Sequence, residues 1–179
     1  MKKLLVILAA LFIGVSVQAQ FTKAKLQATG LTCAMCSNAI NKSIEKLPFV
    51  ETVRSDIKNS AFNVSFKTGE EIDIDQLKKA VEDAGFAIGS LKMIGSFDGI
   101  EVANDKHIRI GNRNFHFLGI ETQVLRGEKE IVMVDRDFIS QKQYKKFSQA
   151  TKMNCVKTGK VELCCDGMVE GDRIYHVTI

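Results

Sequence analysis

Cys33 and Cys36 stand two residues apart in Gly30-Leu31-Thr32-Cys33-Ala34-Met35-Cys36. Two thiols at that spacing, one on a loop and one opening a helix, can point at a single atom. A helix N-terminus favours the thiolate over the thiol, so Cys36 is expected to be the more acidic of the two. Soft sulfur selects Cu(I) over harder cations, and two such ligands satisfy a linear d¹⁰ ion. A structural zinc site would want four ligands, and no second Cys/His pair lies at the usual spacing. Three rival chemistries share the motif. It could bind Hg(II), act as a thiol-disulfide oxidoreductase, or close a structural disulfide, although a two-residue spacing makes that last loop small and strained.

Three further Cys stand late in the chain, at 155, 164 and 165, making five in all. In an oxidising compartment thiols tend to pair, and an odd count leaves at least one unpaired or metal-bound. A disulfide from Cys155 to Cys164 or Cys165 is the expectation. A second metal set drawing on Cys155 or Cys164 with His107, His116 or His176 has no C-x-x-C or H-x-H spacing behind it. Taken singly, the three His read as ordinary strand residues, with His176 facing solvent.

The elements that must position Cys33 and Cys36 are legible from periodicity. Residues 21–28 alternate as a half-buried strand, and Thr29 to Thr32 turn the chain. Ala39, Ile40, Ile44 and Leu47 then form one helical face, which Pro48 ends. Residues 50–57 and 61–66 read as a hairpin about Lys58-Asn59-Ser60. Asp73 with Gln76 reads as a capping pair ahead of a second stripe at Ile74, Leu77, Ala80, Val81 and Ala84, and Gly85 is a natural stop. Residues 87–93 add a strand, giving the order β-α-β-β-α-β, a ferredoxin-like arrangement.

With that order in place, Gly30-Leu31-Thr32-Cys33-Ala34-Met35-Cys36 and the later Ala84-Gly85-Phe86 resemble the heavy-metal-associated domain family. That family includes copper chaperones, modules of copper-exporting ATPases and a periplasmic mercury-binding protein. The resemblance covers about residues 21–93 and implies Cys33 and Cys36 as metal ligands, Cu(I) as the ion with Hg(II) as the alternative, and a copper-handling partner protein. It also implies that Phe86 lies beside the metal, where eukaryotic copper chaperones carry Lys. Leu31 replaces the family's usual Met, a conservative exchange, and Phe49 replaces the usual Gly after Pro48.

Lys2-Lys3, the apolar run from Leu4 to Val17, and the small residues of Val17-Gln18-Ala19 read as a signal peptide over 1–19. The run is short for a bilayer span, so the expectation is a mature chain from Gln20, periplasmic or secreted, with no membrane span. Without Lys2 and Lys3 the balance is 23 basic against 21 acidic residues. That near-neutrality argues against a nucleic-acid surface. No Ser/His/Asp set, phosphate loop or catalytic carboxylate pair stands out, so the expectation is a binding protein and not an enzyme. The fold expectation is α+β: a ferredoxin-like domain over 20–94, a joint at Gly95-Ser96-Phe97-Asp98-Gly99, and a β-rich OB-like barrel over 95–179. Short strands at 100–102, 107–110, 114–118 and 130–134 precede a helix opened by the Ser140/Gln143 capping box. A final hairpin pairs 160–165, with Val161, Leu163 and Cys165 inward, against 173–179.

Overall fold

The structure is a computed structural model, and it describes residues 20–31, 33–165 and 167–179. The expected signal peptide at 1–19 lies outside the described residues. In the ferredoxin-like part, β1 (Gln20–Thr29), α1 (Ala34–Glu45), β2 (Val50–Asp56), β3 (Ala61–Phe66), α2 (Ile74–Asp83) and β4 (from Ala87) follow the expected order. Local chemistry fixes α2: Asp73 accepts the Gln76 backbone N–H at 3.0 Å, and the Gln76 amide donates back to its carboxylate at 2.9 Å. Gly85 ends it at φ +88, a conformation that a Cβ disfavours. Ile40 and Ile44 of α1, and Ile74, Leu77, Ala80 and Val81 of α2, are buried against the sheet as their spacing requires.

Beyond Met93 the structure departs from the sequence expectation. β4 does not stop: it runs without interruption to Val102. Gly95 pairs with Phe21 on one side and Lys129 on the other, so the stretch read as a joint is the interior of a central strand. The glycine signal had another cause. Gly99, at φ +77, sits in a register shift between Asp98 and Ile100, a bulge that bends the strand and leaves its pairing intact on either side.

The OB-like barrel is likewise replaced. β5 (Lys106–Ile110), β6 (Arg113–Phe117), β7 (Gln123–Met133) and β8 (Ile174–Thr178) extend the same sheet. Its eight described strands run in the order β2-β3-β1-β4-β7-β8-β6-β5, with β2 and β5 as open edges. β6 and β8 are parallel, and the crossover between them carries β7, α3 (Gln141–Ala150) and the short α4 (Cys155–Thr158). Ser140 and Gln143 form the expected capping box on α3. The strand expected at 160–165 is instead a string of turns with one isolated β-bridge, Lys160 to Arg173, beside the backbone hydrogen bonds that Val161 makes with Gly171 and Asp172. Leu163 is exposed, whereas Val161 and Cys165 are buried.

One hydrophobic cluster runs from Phe21 to Val177, across both halves of the chain. Phe21 of β1 meets Phe97 of β4 and Phe115 of β6, with ring centroids 6.1 and 5.7 Å apart. On the same side, Asp75 of α2 accepts from Arg173 Nε and from the Tyr175 hydroxyl, each at 3.0 Å. The opposite face of β6 and β8 is covered by the segment carrying α4, where Cys155, Val161, Cys165 and Ile174 form a smaller cluster. Among the described residues no helix is long and apolar enough to cross a membrane.

Candidate metal centre

Cys33 is the N-cap of α1, in extended conformation, and the helix begins at Ala34. Its Sγ accepts the Cys36 backbone N–H at 3.4 Å and lies 2.8 Å from the Cys36 Sγ. Hydrogen bonding from the Cys36 thiol and then from its backbone N–H holds the Cys33 thiol below the usual range. The sequence expectation had placed the acidified thiol at Cys36. The helix starts two residues earlier than the apolar stripe suggested, so it is Cys33 that receives the orphan N–H of the first turn.

The pair is open to solvent, with Cys33 exposed and Cys36 half-buried. Met35 between them is 82% exposed. Leu31 and Phe86, in the loops before α1 and after α2, both pack on the core. Phe86 is half-buried, and its contact with the core gives it a packing role.

The structure also gathers residues that sequence spacing did not. Cys155 forms no disulfide. Its Sγ lies 3.7 Å from His107 Nε2 and 3.6 Å from His116 Nδ1. The expected bridge to Cys164 or Cys165 is not formed, although the three sulfurs lie within 4.8 Å of one another. Cys164 and Cys165 stand beside it with their own sulfurs 3.7 Å apart. Burial, and then the neighbouring Cys165 and Cys164, push the Cys155 thiol up. His176 is fully buried, contrary to the expectation that it faces solvent, because the α4 segment covers its side of β8. Its Nδ1 lies 2.7 Å from Asp135 Oδ1, which leaves Nε2 buried without a hydrogen-bond partner.

A signal for this cluster was present in the hairpin. The tight turn at Gly111-Asn112 joins Ile110 to Arg113, and counting outward from it places His107 directly opposite His116. Their ring centroids are 4.3 Å apart. What the sequence did not carry was the crossover that brings Cys155 over them.

His116 supplies a pH prediction for the metal-free chain. Burial, with His107 of β5 and His176 of β8 adding to it, lowers its pKa to about 4, against the opposing pull of Asp105. Cys155 of α4 is the remaining titratable group in contact. A histidine that binds its proton more weakly when folded leaves stability complete above its unfolded value near 6.5, and the loss proceeds as pH falls from there to about 4. The whole decline is on the order of 3 kcal/mol. Urea midpoints from pH 7 to 4 should fall along this limb and flatten in His116→Gln. An equal slope in the variant would assign the loss to other groups.

Residues 25–87 match the heavy-metal-associated domain family. A probable copper-transporting ATPase of Arabidopsis thaliana is 29% identical over 65 residues, which are 36% of this chain and 6% of that protein. A probable copper-exporting P-type ATPase of Archaeoglobus fulgidus is 32% identical over 63 residues, 35% of this chain and 8% of that protein. The chain thus spans less than a tenth of either relative. Among solved structures, a CopZ metallochaperone aligns at 21% identity and a TM-score of 0.35, covering 37% of this chain and 98% of that one. Oxidised MerP from Ralstonia metallidurans CH34 aligns at 27% identity and a TM-score of 0.35, covering 40% of this chain and 94% of that one. The β-α-β-β-α-β order and the sequence match agree on one assignment: residues 25–87 are a heavy-metal-associated domain.

Proposed function

We propose that this is an exported, non-enzymatic Cu(I)-binding protein, which takes the ion between Cys33 and Cys36 and buffers it or passes it to a copper-handling partner by thiolate exchange. The observation that carries this reading is the pairing of two sulfurs 2.8 Å apart at an open helix start, one of them held toward its thiolate. Thiolate is the form that binds metal, and softness favours Cu(I). Exposure of Cys33 supports ligand exchange, since an incoming thiolate from a partner must reach the ion for transfer to occur. The copper-transporting relatives support the choice of ion, and Hg(II) is the competing cargo that the same sulfurs would accept.

Anaerobic titration of the full chain with Cu(I) and with Hg(II) against chelators tests the ion. Tighter retention of Hg(II) at matched chelator strength would not count against copper, because mercury binds most thiols strongly. Failure to hold Cu(I) at all would overturn the reading. The enzymatic alternative is a thiol-disulfide oxidoreductase, and catalysed insulin reduction by the metal-free chain would favour it. Export is checked separately: mass spectrometry of secreted material should show a chain beginning at Gln20. A full-length product that stays in the membrane would refute that part.

A further inference from the structure

We propose that His107, His116 and Cys155 form a second, buried metal site that takes Cu(I). Their ligand atoms all lie within 4.8 Å of one another. Metal–ligand bonds of about 2.0–2.3 Å, opened at trigonal or tetrahedral angles, separate neighbouring ligand atoms by roughly 3.4–3.9 Å. The 3.7 and 3.6 Å from Cys155 Sγ to the two imidazoles fall inside that range.

The surroundings are those of a ligand set. Asp105 lies 3.2 Å from His116 Nε2, so that nitrogen carries the proton and Nδ1 turns its lone pair toward Cys155. This carboxylate–histidine pairing fixes the tautomer a ligand needs. Cys155 and His116 are fully buried. Cys164 is half-buried, Cys165 is buried, and both adjoin Cys155, so a line of thiols leads from the surface to the site.

Charge selects the ion. One thiolate and two neutral imidazoles around Cu(I) sum to zero, which suits an enclosed site next to apolar side chains. The same set around Zn(II) leaves one uncompensated positive charge in that interior. Asp105 does not cancel it, because its side chain is about one-third exposed and its charge is already in contact with water. Three thiolates from Cys155, Cys164 and Cys165 around Cu(I) would instead leave two negative charges. Coordination number points the same way. Structural zinc asks for four ligands, and no described fourth residue joins all three within that distance.

The test uses the full chain carrying Cys33→Ser and Cys36→Ser, which removes the exposed dithiol and leaves the buried set intact. Titrated anaerobically with Cu(I) alone, against a chelator, this parent should hold one equivalent. Adding Cys155→Ser or His116→Gln should weaken that binding at least about a hundredfold, while Cys164→Ser should keep it within a fewfold. X-ray absorption of the loaded parent should show two nitrogen and one sulfur neighbours, a readout that does not depend on any buried variant folding. A parent that binds no Cu(I) would overturn the site. So would three sulfur neighbours, or loss of binding in Cys164→Ser with retention in His116→Gln, since either moves the ion onto the three cysteines. Retention of Zn(II) in preference to Cu(I) would overturn the choice of metal.

Discussion

Cys33→Ser or Cys36→Ser should each cost the full chain one of the Cu(I) equivalents it holds against a competing chelator. The expected loss is large because the exposed site has two soft ligands and each variant removes one of them. Zinc sites of four ligands bind with about 10–16 kcal/mol, so one ligand carries on the order of 2.5–4 kcal/mol, and its loss weakens binding by roughly a hundredfold. A hydroxyl does not replace the thiolate, since it is harder and stays protonated at neutral pH. Folding should survive. Neither side chain belongs to the core, and Ser at position 33 is itself a favourable N-cap. The two variants should differ in pH response. With Cys33 intact, a thiolate is available at lower pH, because its hydrogen bonds from Cys36 favour the charged form. Losing Cys36 removes the thiol that supplies the first of those bonds. Anaerobic competition titrations of the wild type and both variants decide the matter. If the variants hold as many equivalents as the wild type, Cys33 and Cys36 are not the ligands.

What the sequence made legible followed the range of the interactions involved. Short-range signals read true. The stripe at Ile74, Leu77, Ala80 and Val81, the Asp73/Gln76 cap, the Ser140/Gln143 capping box and the stop at Gly85 are each decided within a few residues. The C-x-x-C pair is equally local, which is why the candidate dithiol could be named from its spacing. Signals that depended on long-range pairing misled. Gly95 and Gly99 look like a joint because glycine marks joints and bulges alike, and only the neighbouring strands β1 and β7 reveal which. His176 reads as solvent-facing by alternation, a rule that fails once both faces of a strand are covered. The alternation of Val161, Leu163 and Cys165 suggested a strand, and the backbone takes turns there instead, with Leu163 outside. Cys155 stands 39 residues beyond His116 and 48 beyond His107, in the crossover between β6 and β8, for which no local pattern exists.

Phe115→Ala should lower the stability of the whole chain by about 3–5 kcal/mol, in a single transition, although Phe115 lies in the half that sequence patterning set apart as its own domain. Its ring is fully buried. It touches Phe21 at 5.7 Å between centroids and Tyr175 at 5.8 Å, so truncation opens a cavity where the first strand of the ferredoxin-like part meets the last strand of the chain. Such a loss shifts the melting temperature of a chain this size by roughly 6–20 °C. The number of transitions is the sharper readout. Two independent domains joined by a linker would melt separately, and the variant would lower one transition while leaving the other in place. A sheet that shares β4, from Ala87 to Val102, gives neither half a complete core. In the ferredoxin-like part β4 pairs with β1, and the same strand carries β7 on its other edge. Removing Phe115 therefore weakens packing under Phe21 as well as under Tyr175, and the exposed dithiol on α1 loses its scaffold at the same temperature as the buried cluster at Cys155. Calorimetry on the wild type and variant, with thiol alkylation at Cys33 and at Cys155 followed across the melt, checks this. Separate transitions, with Cys33 remaining on a folded unit after Cys155 is exposed, would show the halves to be autonomous and the continuity of β4 to be energetically minor.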